Sequence, residues 1–244
     1  MLLVSPHLDD AVFSCEALVA QPQPIDILTV FAGEPEPPRR GWWDETCGFE
    51  SSAESIPARR LEDEAALAGT SHRRLYLELL ELQYADRRTP DDERTIADAI
   101  GEWLARFPRG TVAVPAGAGR GQRRLSRFRD RFGDSSVEWP QHPDHLFVRD
   151  AALKGLVDSD ATPLLYEELP YLFGMAADEA VERVARRHRW RAEPIVVEID
   201  RRRKSERIAA YVTQIAHISP EEGRLDDAQT LPPRERYWRL VSSS

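Results

Sequence analysis

The length, composition and charge of the chain exclude several classes of protein. The chain has 244 residues, of which 41% are hydrophobic and 31% are charged, and such fractions are typical of a soluble globular protein rather than a disordered or membrane one. Its formal net charge is -9 at pH 7, so it lacks the basic character of a nucleic-acid-binding protein. No apolar stretch approaches the length of a membrane span.

The cysteine content and the N-terminus indicate the compartment. Two cysteines form no disulfide framework, which favours a reducing environment. The chain opens directly into an apolar strand, without the basic and apolar regions of a secretory signal. We therefore expect a cytoplasmic protein whose partner is a small molecule, and no feature of the sequence sets its oligomeric state.

Strands and helices alternate from the first residue. An apolar strand over 1–4 precedes a helix over 11–20, and a second, β-branched strand follows over 25–31. A strand, a helix and a strand within about 31 residues form the βαβ unit of a parallel sheet. The pattern predicts an α/β fold with a Rossmann-like, mostly parallel sheet that is flanked by helices in a single domain.

A long loop over 33–57 interrupts this alternation. Loops of this length in a compact domain are usually functional or mobile. Trp42 and Trp43 lie within it, and two interpretations stay open. The two rings form a wall that stacks on a sugar beside the site, or they pin the loop to the core.

The rest of the chain continues the alternation until the C-terminal region. Helices are predicted over 58–69, 90–107, 146–157 and 201–215, and strands over 75–82, 111–115, 162–166 and 195–199. Residues 225–244 show no periodicity, although Tyr237, Trp238 and Leu240 are expected to dock on the body of the protein.

Arginines are concentrated in the polar segment 116–141. This segment is either a lid that contacts an anionic part of a substrate or a solvated loop whose charge is balanced by local acids such as Asp130 and Asp134. The second interpretation is favoured, because runs of charge are usually solvated.

Two clusters of histidine and aspartate precede predicted helices, and the first of them forms a turn from a strand into a helix. The segment 5–10 (Ser-Pro-His-Leu-Asp-Asp) follows the first strand, and the segment 142–145 (His-Pro-Asp-His) precedes the helix over 146–157. Such turns lie at the carboxyl ends of strands in open α/β sheets, where ligands bind. His7 and Asp10 are candidate metal ligands, and Asp9 is left free to handle a proton. The alternative is that an Asp caps the helix and that His7 is a hydrogen-bonded turn histidine.

Together the two clusters resemble the motifs of the PIG-L/LmbE-like zinc-dependent deacetylases, a Pro-His-x-Asp-Asp turn and a His-Pro-Asp-His turn. Further stretches look like landmarks of that family in the same order, namely 59–63, 166–170 and 204–214. The resemblance implies a deacetylase domain over 1–215 and a tail over 216–244 that packs on it. The sequence departs from the family at Leu8, where many members have Pro, and at Glu16-Ala17, which replaces a pair of small glycines.

The resemblance implies a mechanism and assigns roles to residues. A zinc ion is expected on His7, Asp10 and His145, with Asp9 as general base and with His142, protonated, as the partner of the oxyanion. Two histidines and one carboxylate also form the facial triad of ferrous enzymes, so Fe²⁺ stays open as the metal. Asp144 either orients one of the imidazoles or caps the helix.

The resemblance also implies a substrate. The expected reaction removes the acetyl group of an N-acetylglucosamine-type conjugate by attack of metal-activated water. Arg60 and Asp86 are predicted to contact sugar hydroxyls, because the family places an Arg in that helix and an Asp after the third strand. The alternatives are a metallohydrolase that cleaves another amide or an ester on the same site, and a silent binding module that retained the fold.

Overall fold

A computed structural model describes residues 1–119, 142–173, 176–218 and 223–242. Seven strands of these residues form one sheet: β1 (Leu2–Ser5), β2 (Asp26–Thr29), β3 (Arg73–Tyr76), β4 (Thr111–Pro115), β5 (Thr162–Tyr166), β6 (Trp190–Glu198) and β7 (Arg234–Ser242). Their spatial order is β3-β2-β1-β4-β5-β7-β6. The first five strands pair in parallel, and β7 pairs antiparallel with both β5 and β6.

Helices cover both faces of this sheet. The described helices are α1 (Asp10–Ser14), α2 (Glu16–Val19), α3 (Trp42–Cys47), α4 (Ser52–Ala66), α5 (Pro90–Arg106), α6 (Pro143–Leu156), α7 (Asp178–Arg187) and α8 (Arg201–Ile208). Leu2 and Val4 join one core with α5, α6 and α7. Leu3, between them, joins a second core with α1, α2 and α8. Burial on both faces explains why β1 is apolar at consecutive positions.

The strand order creates a crevice beside β1. From β1 the chain continues to β2 and β3 on one side, and it reaches β4 and β5 on the other. In open parallel sheets such a reversal of direction opens a crevice at the carboxyl ends of the strands. The segment 5–10 leaves β1 at this point, and α6 begins there after β4. The fold therefore brings together the two histidine and aspartate clusters.

Several predicted element boundaries are corrected by the structure. The helix over 11–20 is two short helices, because Cys15 leaves helical geometry with φ -131° and ψ 39°. The helix expected from 58 begins at Ser52 and contains Pro57, so the preceding loop is shorter and includes α3. The third strand ends at Tyr76 instead of residue 82. The last helix ends at Ile208 instead of residue 215.

The structure adds elements that the sequence pattern did not predict. Helix α7 was not expected, and β7 lies in the region that showed no periodicity. β7 inserts between β5 and β6, where Tyr237, Trp238 and Leu240 are buried. The docking of these three side chains is thereby confirmed.

Positions 120–141 of the arginine-rich segment lie outside the described residues, so both interpretations of that segment, including the roles of Asp130 and Asp134, stay predictions. In the described part of the chain, no helix has the length and apolar character needed to cross a membrane.

Asp63, on the buried face of α4, makes the stability depend on pH. The Tyr211 hydroxyl donates to its Oδ1 at 3.0 Å, and the Tyr76 hydroxyl donates to its Oδ2 at 3.4 Å. Burial raises the pKa of Asp63 from 3.8 to about 7. The unfolded chain therefore releases this proton near pH 4 and the folded chain near pH 7. The protonated Asp63 contributes fully to the free energy of unfolding below about pH 4, and this contribution is lost as the pH rises to about 7 and above.

We expect the free energy of unfolding to fall more steeply for the wild type than for Asp63→Asn between about pH 4 and 7. Over this range the wild type is expected to lose about 4 kcal/mol more of its free energy of unfolding than Asp63→Asn, because a pKa raised from 3.8 to about 7 corresponds to a free-energy change of that size. Urea unfolding of the metal-free proteins across this range measures it. Asp91→Asn, at an exposed position of α5, is the control that should follow the wild type. Parallel pH profiles for Asp63→Asn and the wild type would contradict the prediction.

Candidate metal centre

The turn after β1 is folded by its own side chains. The Ser5 hydroxyl donates to the His7 carbonyl at 2.7 Å and accepts from the Ala11 backbone N–H at 3.0 Å. Asp10 Oδ2 accepts from the His7 backbone N–H at 2.8 Å. These bonds, which span two to six residues, close the turn and place the His7 ring beside the Asp10 carboxylate.

Three side chains from the two clusters converge on one point. His7 Nδ1 lies 3.2 Å from Asp10 Oδ2, and His145 Nε2 lies 3.3 Å from the same oxygen. The potential ligand atoms of His7, Asp10 and His145 all lie within 4.8 Å of one another, and all three residues are buried. His145 Nε2 has no hydrogen-bond partner among the described residues. Two imidazoles and a carboxylate are a ligand set of catalytic zinc sites, so these residues form a group that can hold a divalent metal.

The outer nitrogen of each histidine faces a buried carboxylate. His7 Nε2 lies 3.1 Å from Asp144 Oδ2, and His145 Nδ1 lies 3.3 Å from Glu168 Oε1. Carboxylates in this position fix the orientation of metal-binding imidazoles and raise their basicity. In both histidines the outer nitrogen faces one of these carboxylates and the inner nitrogen faces Asp10, an arrangement that suits metal ligands.

A second group of potential ligands shares His7. It consists of His7, His142 and Asp144, whose ligand atoms also lie within 4.8 Å of one another. Asp144 is already occupied, because it accepts from Arg88 and from the Leu82 backbone N–H at 3.2 Å. Because Asp144 already makes these contacts, the group that contains Asp10 is the better candidate for a metal ion. Asp144 thus orients His7, and the side chain that caps α6 belongs to His142.

His142 lies beside the candidate ligands, with its ring centroid 5.0 Å from those of His7 and His145. Its Nδ1 accepts from the Asp144 backbone N–H at 3.2 Å, so a neutral ring carries its proton on Nε2. Burial and the neighbouring His145 and His7 lower the pKa of His142 to about 3. Burial of the ring and the backbone N–H at its Nδ1 thus favour the neutral form over the protonated form that the resemblance implied.

Asp9 and Asp10 are adjacent in sequence but lie in different environments. Burial raises the pKa of Asp10, but His145 and His7 outweigh it and hold that pKa well below the ordinary value. Burial and the charge of Asp10 raise the pKa of Asp9 to about 6. The Asp9 side chain makes no capping bond to α1, so the capping interpretation fails and the carboxylate is available for proton transfer.

The structure brings Arg59, rather than Arg60, to the inner side of α4. Arg60 donates to the Ala32 carbonyl at 2.6 Å and pairs with Glu78 near the surface. Arg59 is buried, and its positive charge lowers the pKa of Asp9. Consecutive helical residues point about 100° apart, so a choice between neighbouring arginines requires the register of the helix, which the sequence pattern did not supply.

The other predicted substrate contacts are Trp42, Trp43 and Asp86. Trp42 and Trp43 are half-buried and meet edge to face, with ring centroids 5.7 Å apart. Trp43 Nε1 donates to Gln214 Oε1 at 3.4 Å, and Gln214 Oε1 also accepts from Arg59 at 2.9 Å. Asp86 is exposed in the segment before α5. Contacts of these residues with a sugar stay predictions.

Sequence reasoning missed a tyrosine beside the two histidines of α6. Tyr171 lies after β5, with its ring centroid 4.9 Å from that of His145 and 5.9 Å from that of His142. The signal was present in the landmark 166–170, which ends one residue before it. Its position on the wall of the site depends on the packing of β5 against α6.

The model of the PIG-L family, described as GlcNAc-PI de-N-acetylase, matches residues 2–155. The chain belongs to the PIG-L family. Membership makes it a hydrolytic N-deacetylase and confirms the activity that the two motifs predicted. No curated protein matches the chain in sequence.

Solved structures of deacetylases share the fold over the whole chain. A triple mutant of a deacetylase of the teicoplanin biosynthetic pathway (Orf2*T) is 25% identical, with a TM-score of 0.72 over 100% of this chain and 98% of that one. The A40926 pseudoaglycone deacetylase Dbv21 is 23% identical, with a TM-score of 0.71 over 100% and 97%. The zinc-inhibited form of teicoplanin deacetylase Orf2 is 22% identical, with a TM-score of 0.71 over 100% and 98%. These matches confirm the predicted α/β fold with a mostly parallel sheet.

Proposed function

We propose that this N-deacetylase removes the acetyl group of an N-acetylated amino sugar carried on a larger conjugate, with zinc held by His7, Asp10 and His145. The observation that carries the proposal is the convergence of these three side chains beside Asp9, a carboxylate without a capping bond. The family is described by an N-acetylglucosamine conjugate, GlcNAc-PI. Structural neighbours are named as deacetylases of teicoplanin and of A40926 pseudoaglycone.

When bound, the metal supplies hydroxide near neutral pH and polarises the amide carbonyl. Asp10 accepts the backbone N–H of His7 while facing both imidazoles, so it keeps the three ligands together. Asp144 lies behind the outer nitrogen of His7, at 3.1 Å. The protein thereby fixes the orientation of the ligands before substrate arrives.

Asp9 moves the proton in this mechanism. It accepts a proton from the attacking water and delivers it to the sugar nitrogen as the carbon–nitrogen bond breaks, so that the products are acetate and a free amine. A general base works best when its pKa lies near the working pH. Burial and the charge of Asp10 move the pKa of Asp9 toward that range, to about 6.

His142 stabilises the negative charge that develops on the amide oxygen. Because Nδ1 of this residue accepts a backbone N–H, its Nε2–H is free to donate to the oxyanion. A neutral imidazole fulfils this role by hydrogen bonding, without a full positive charge. Trp42 and Trp43 are proposed to flank the sugar, and Asp86 to bind its hydroxyls. Arg60, which is partly exposed, is proposed to reach a hydroxyl from the surface side of α4.

Metal content and amine release test the proposal together. Protein purified without chelator is analysed by mass spectrometry for metals and is assayed with N-acetylglucosamine conjugates, before and after reconstitution with zinc or, anaerobically, with ferrous iron. We expect about one ion per chain, and we expect His145→Ala to lose both the ion and amine release. Metal binding with release from a different amide or an ester would replace the proposed substrate, and absence of metal binding would refute the proposed site.

A further inference from the structure

Glu168 is a buried carboxylate between three elements of the site. It lies two residues after β5, and it is 1% exposed. Its Oε1 accepts from the Gly117 backbone N–H at 2.8 Å, in the segment after β4. The same oxygen lies 3.3 Å from Nδ1 of His145 on α6. One oxygen atom thus joins β4, β5 and α6 at the end of the sheet where the metal ligands converge.

The contacts of Glu168 are few for a buried acidic group. In the part of the chain that the structure describes, His145 is its ion-pair partner, and no Lys or Arg lies within ion-pair distance. Oε2 is buried without a hydrogen-bond partner among the described residues. Asp144, the corresponding carboxylate behind His7, shares its charge with Arg88. Among the described residues, His145 is therefore the main electrostatic partner of Glu168, whereas Asp144 interacts with both His7 and Arg88.

The position of Glu168 determines which nitrogen of His145 is free. A carboxylate accepts hydrogen bonds and donates none, so its contact with Nδ1 favours the form of the ring that carries the proton there. The lone pair then lies on Nε2, the atom that faces Asp10 and has no hydrogen-bond partner among the described residues. The ring would otherwise be free to flip or to carry its proton on the inner side.

We propose that Glu168 is a positioning residue, which holds His145 in the orientation and tautomer that bind the metal. This inference rests on the proposed function, because it concerns a ligand of the proposed zinc site. Gly117 contributes a second support, since its N–H anchors the same oxygen. A side chain at Gly117 would be strained by the φ of 59°, and its Cβ would lie 2.8 Å from Arg149 Nη1, which would have to shift.

The test compares Glu168→Gln with Glu167→Gln. Glutamine has nearly the same shape and keeps an acceptor oxygen for Gly117 and His145, but it removes the charge. Glu167 is a matched control on the neighbouring position, because its side chain accepts from Trp238 Nε1 at 2.9 Å and does not contact the ligands. Zinc affinity is measured by competition with a chromophoric chelator, and the thermal midpoint of each metal-free protein reports any purely structural effect.

Glu168→Gln is expected to weaken zinc binding about 10- to 100-fold, as changes behind a metal-binding histidine typically do. Glu167→Gln is expected to bind zinc within about twofold of the wild type. In the zinc-loaded protein, the Nδ1–H proton resonance of His145 is expected to move upfield in Glu168→Gln and to stay in place in Glu167→Gln, because the bond to a neutral acceptor is weaker. A structural effect alone would lower the thermal midpoint without changing this resonance.

Unchanged zinc affinity in Glu168→Gln would overturn the inference, and so would an equal loss in Glu167→Gln. If Glu168→Gln does not fold, Glu168→Asp, which retracts the carboxylate by one methylene, is measured in the same way with the same expected loss. Measurements on the wild type distinguish a failure of the proposed function from a failure of this inference. If it binds no zinc and releases no amine, the proposed function fails, whereas a wild type that does both beside an unaffected Glu168 variant refutes this inference alone.

Discussion

Asp9→Asn is expected to lower the rate of amine release about 1,000-fold while the protein keeps its metal. The amide of asparagine neither accepts the proton of the attacking water nor returns it to the leaving amine, and general acid–base catalysis typically contributes 10²- to 10⁴-fold. The effect should fall on kcat more than on KM, because proton transfer takes place in the transition state. Steady-state kinetics with an N-acetylglucosamine conjugate measures it.

The neighbouring residues make this prediction specific. The Asp9 side chain makes no capping bond to α1, so its replacement should leave the fold and the metal content unchanged. Asp10→Asn, one position later, changes a proposed ligand and should lose the metal together with the activity. Asp91→Asn, on the exposed first turn of α5, should retain both. An Asp9→Asn protein with half of the wild-type kcat would remove Asp9 from the mechanism.

Glu235→Leu is expected to cost about 3–5 kcal/mol of the free energy of unfolding. Glu235 is buried on β7, where its Oε1 accepts from Lys204 Nζ at 2.7 Å and from the Glu16 backbone N–H at 2.8 Å. Its Oε2 accepts from the Ala17 backbone N–H at 2.8 Å and from the Tyr237 hydroxyl at 2.7 Å. Leucine leaves the Lys204 ammonium buried without its partner, which is the costly way to break a buried ion pair.

Urea unfolding of the metal-free proteins measures this loss, and an exposed pair supplies the control. Glu198 pairs with Arg234 at 3.2 Å on the surface of β6 and β7, so Glu198→Gln should change the free energy of unfolding by about 1 kcal/mol or less. The double variant Lys204→Met/Glu235→Leu should recover part of the loss, because no charge is then left unpaired. A loss in Glu235→Leu no larger than that in Glu198→Gln would refute the role of the buried pair.

The Lys204–Glu235 pair also explains why β7 escaped prediction. β7 begins Arg-Glu-Arg-Tyr-Trp, and a buried Glu in such a run reads as a solvated position when only the local pattern is available. Its partner lies 31 residues earlier, on α8. Contacts over such separations leave no periodic signal in the sequence, so a strand whose burial depends on them is missed.

The short-range part of the metal centre was predictable because it is local. Residues 5–10 form a turn closed by their own hydrogen bonds, and the spacing of three between His7 and Asp10 is enough to bring them together. The start of α6 is also set by neighbours in the chain, because the His142 side chain caps the helix and Pro143 occupies its first turn. Residue types that suit a metal, at a spacing that a turn can close, therefore identified His7 and Asp10 as candidate ligands, and the resemblance to the family added His145.

By itself, the sequence determined the alternation of strands and helices, the residue types of the site and the two turns that present them, because these depend on neighbours in the chain. Tertiary structure alone decided that Arg59 rather than Arg60 is buried near Asp9, that Nδ1 of His142 accepts a backbone N–H, and which carboxylate lies behind each imidazole. Asp144 reaches His7 across 137 residues and Glu168 reaches His145 across 23. Such pairings depend on how the strands order in the sheet and how the helices pack on it, and no local pattern encodes either.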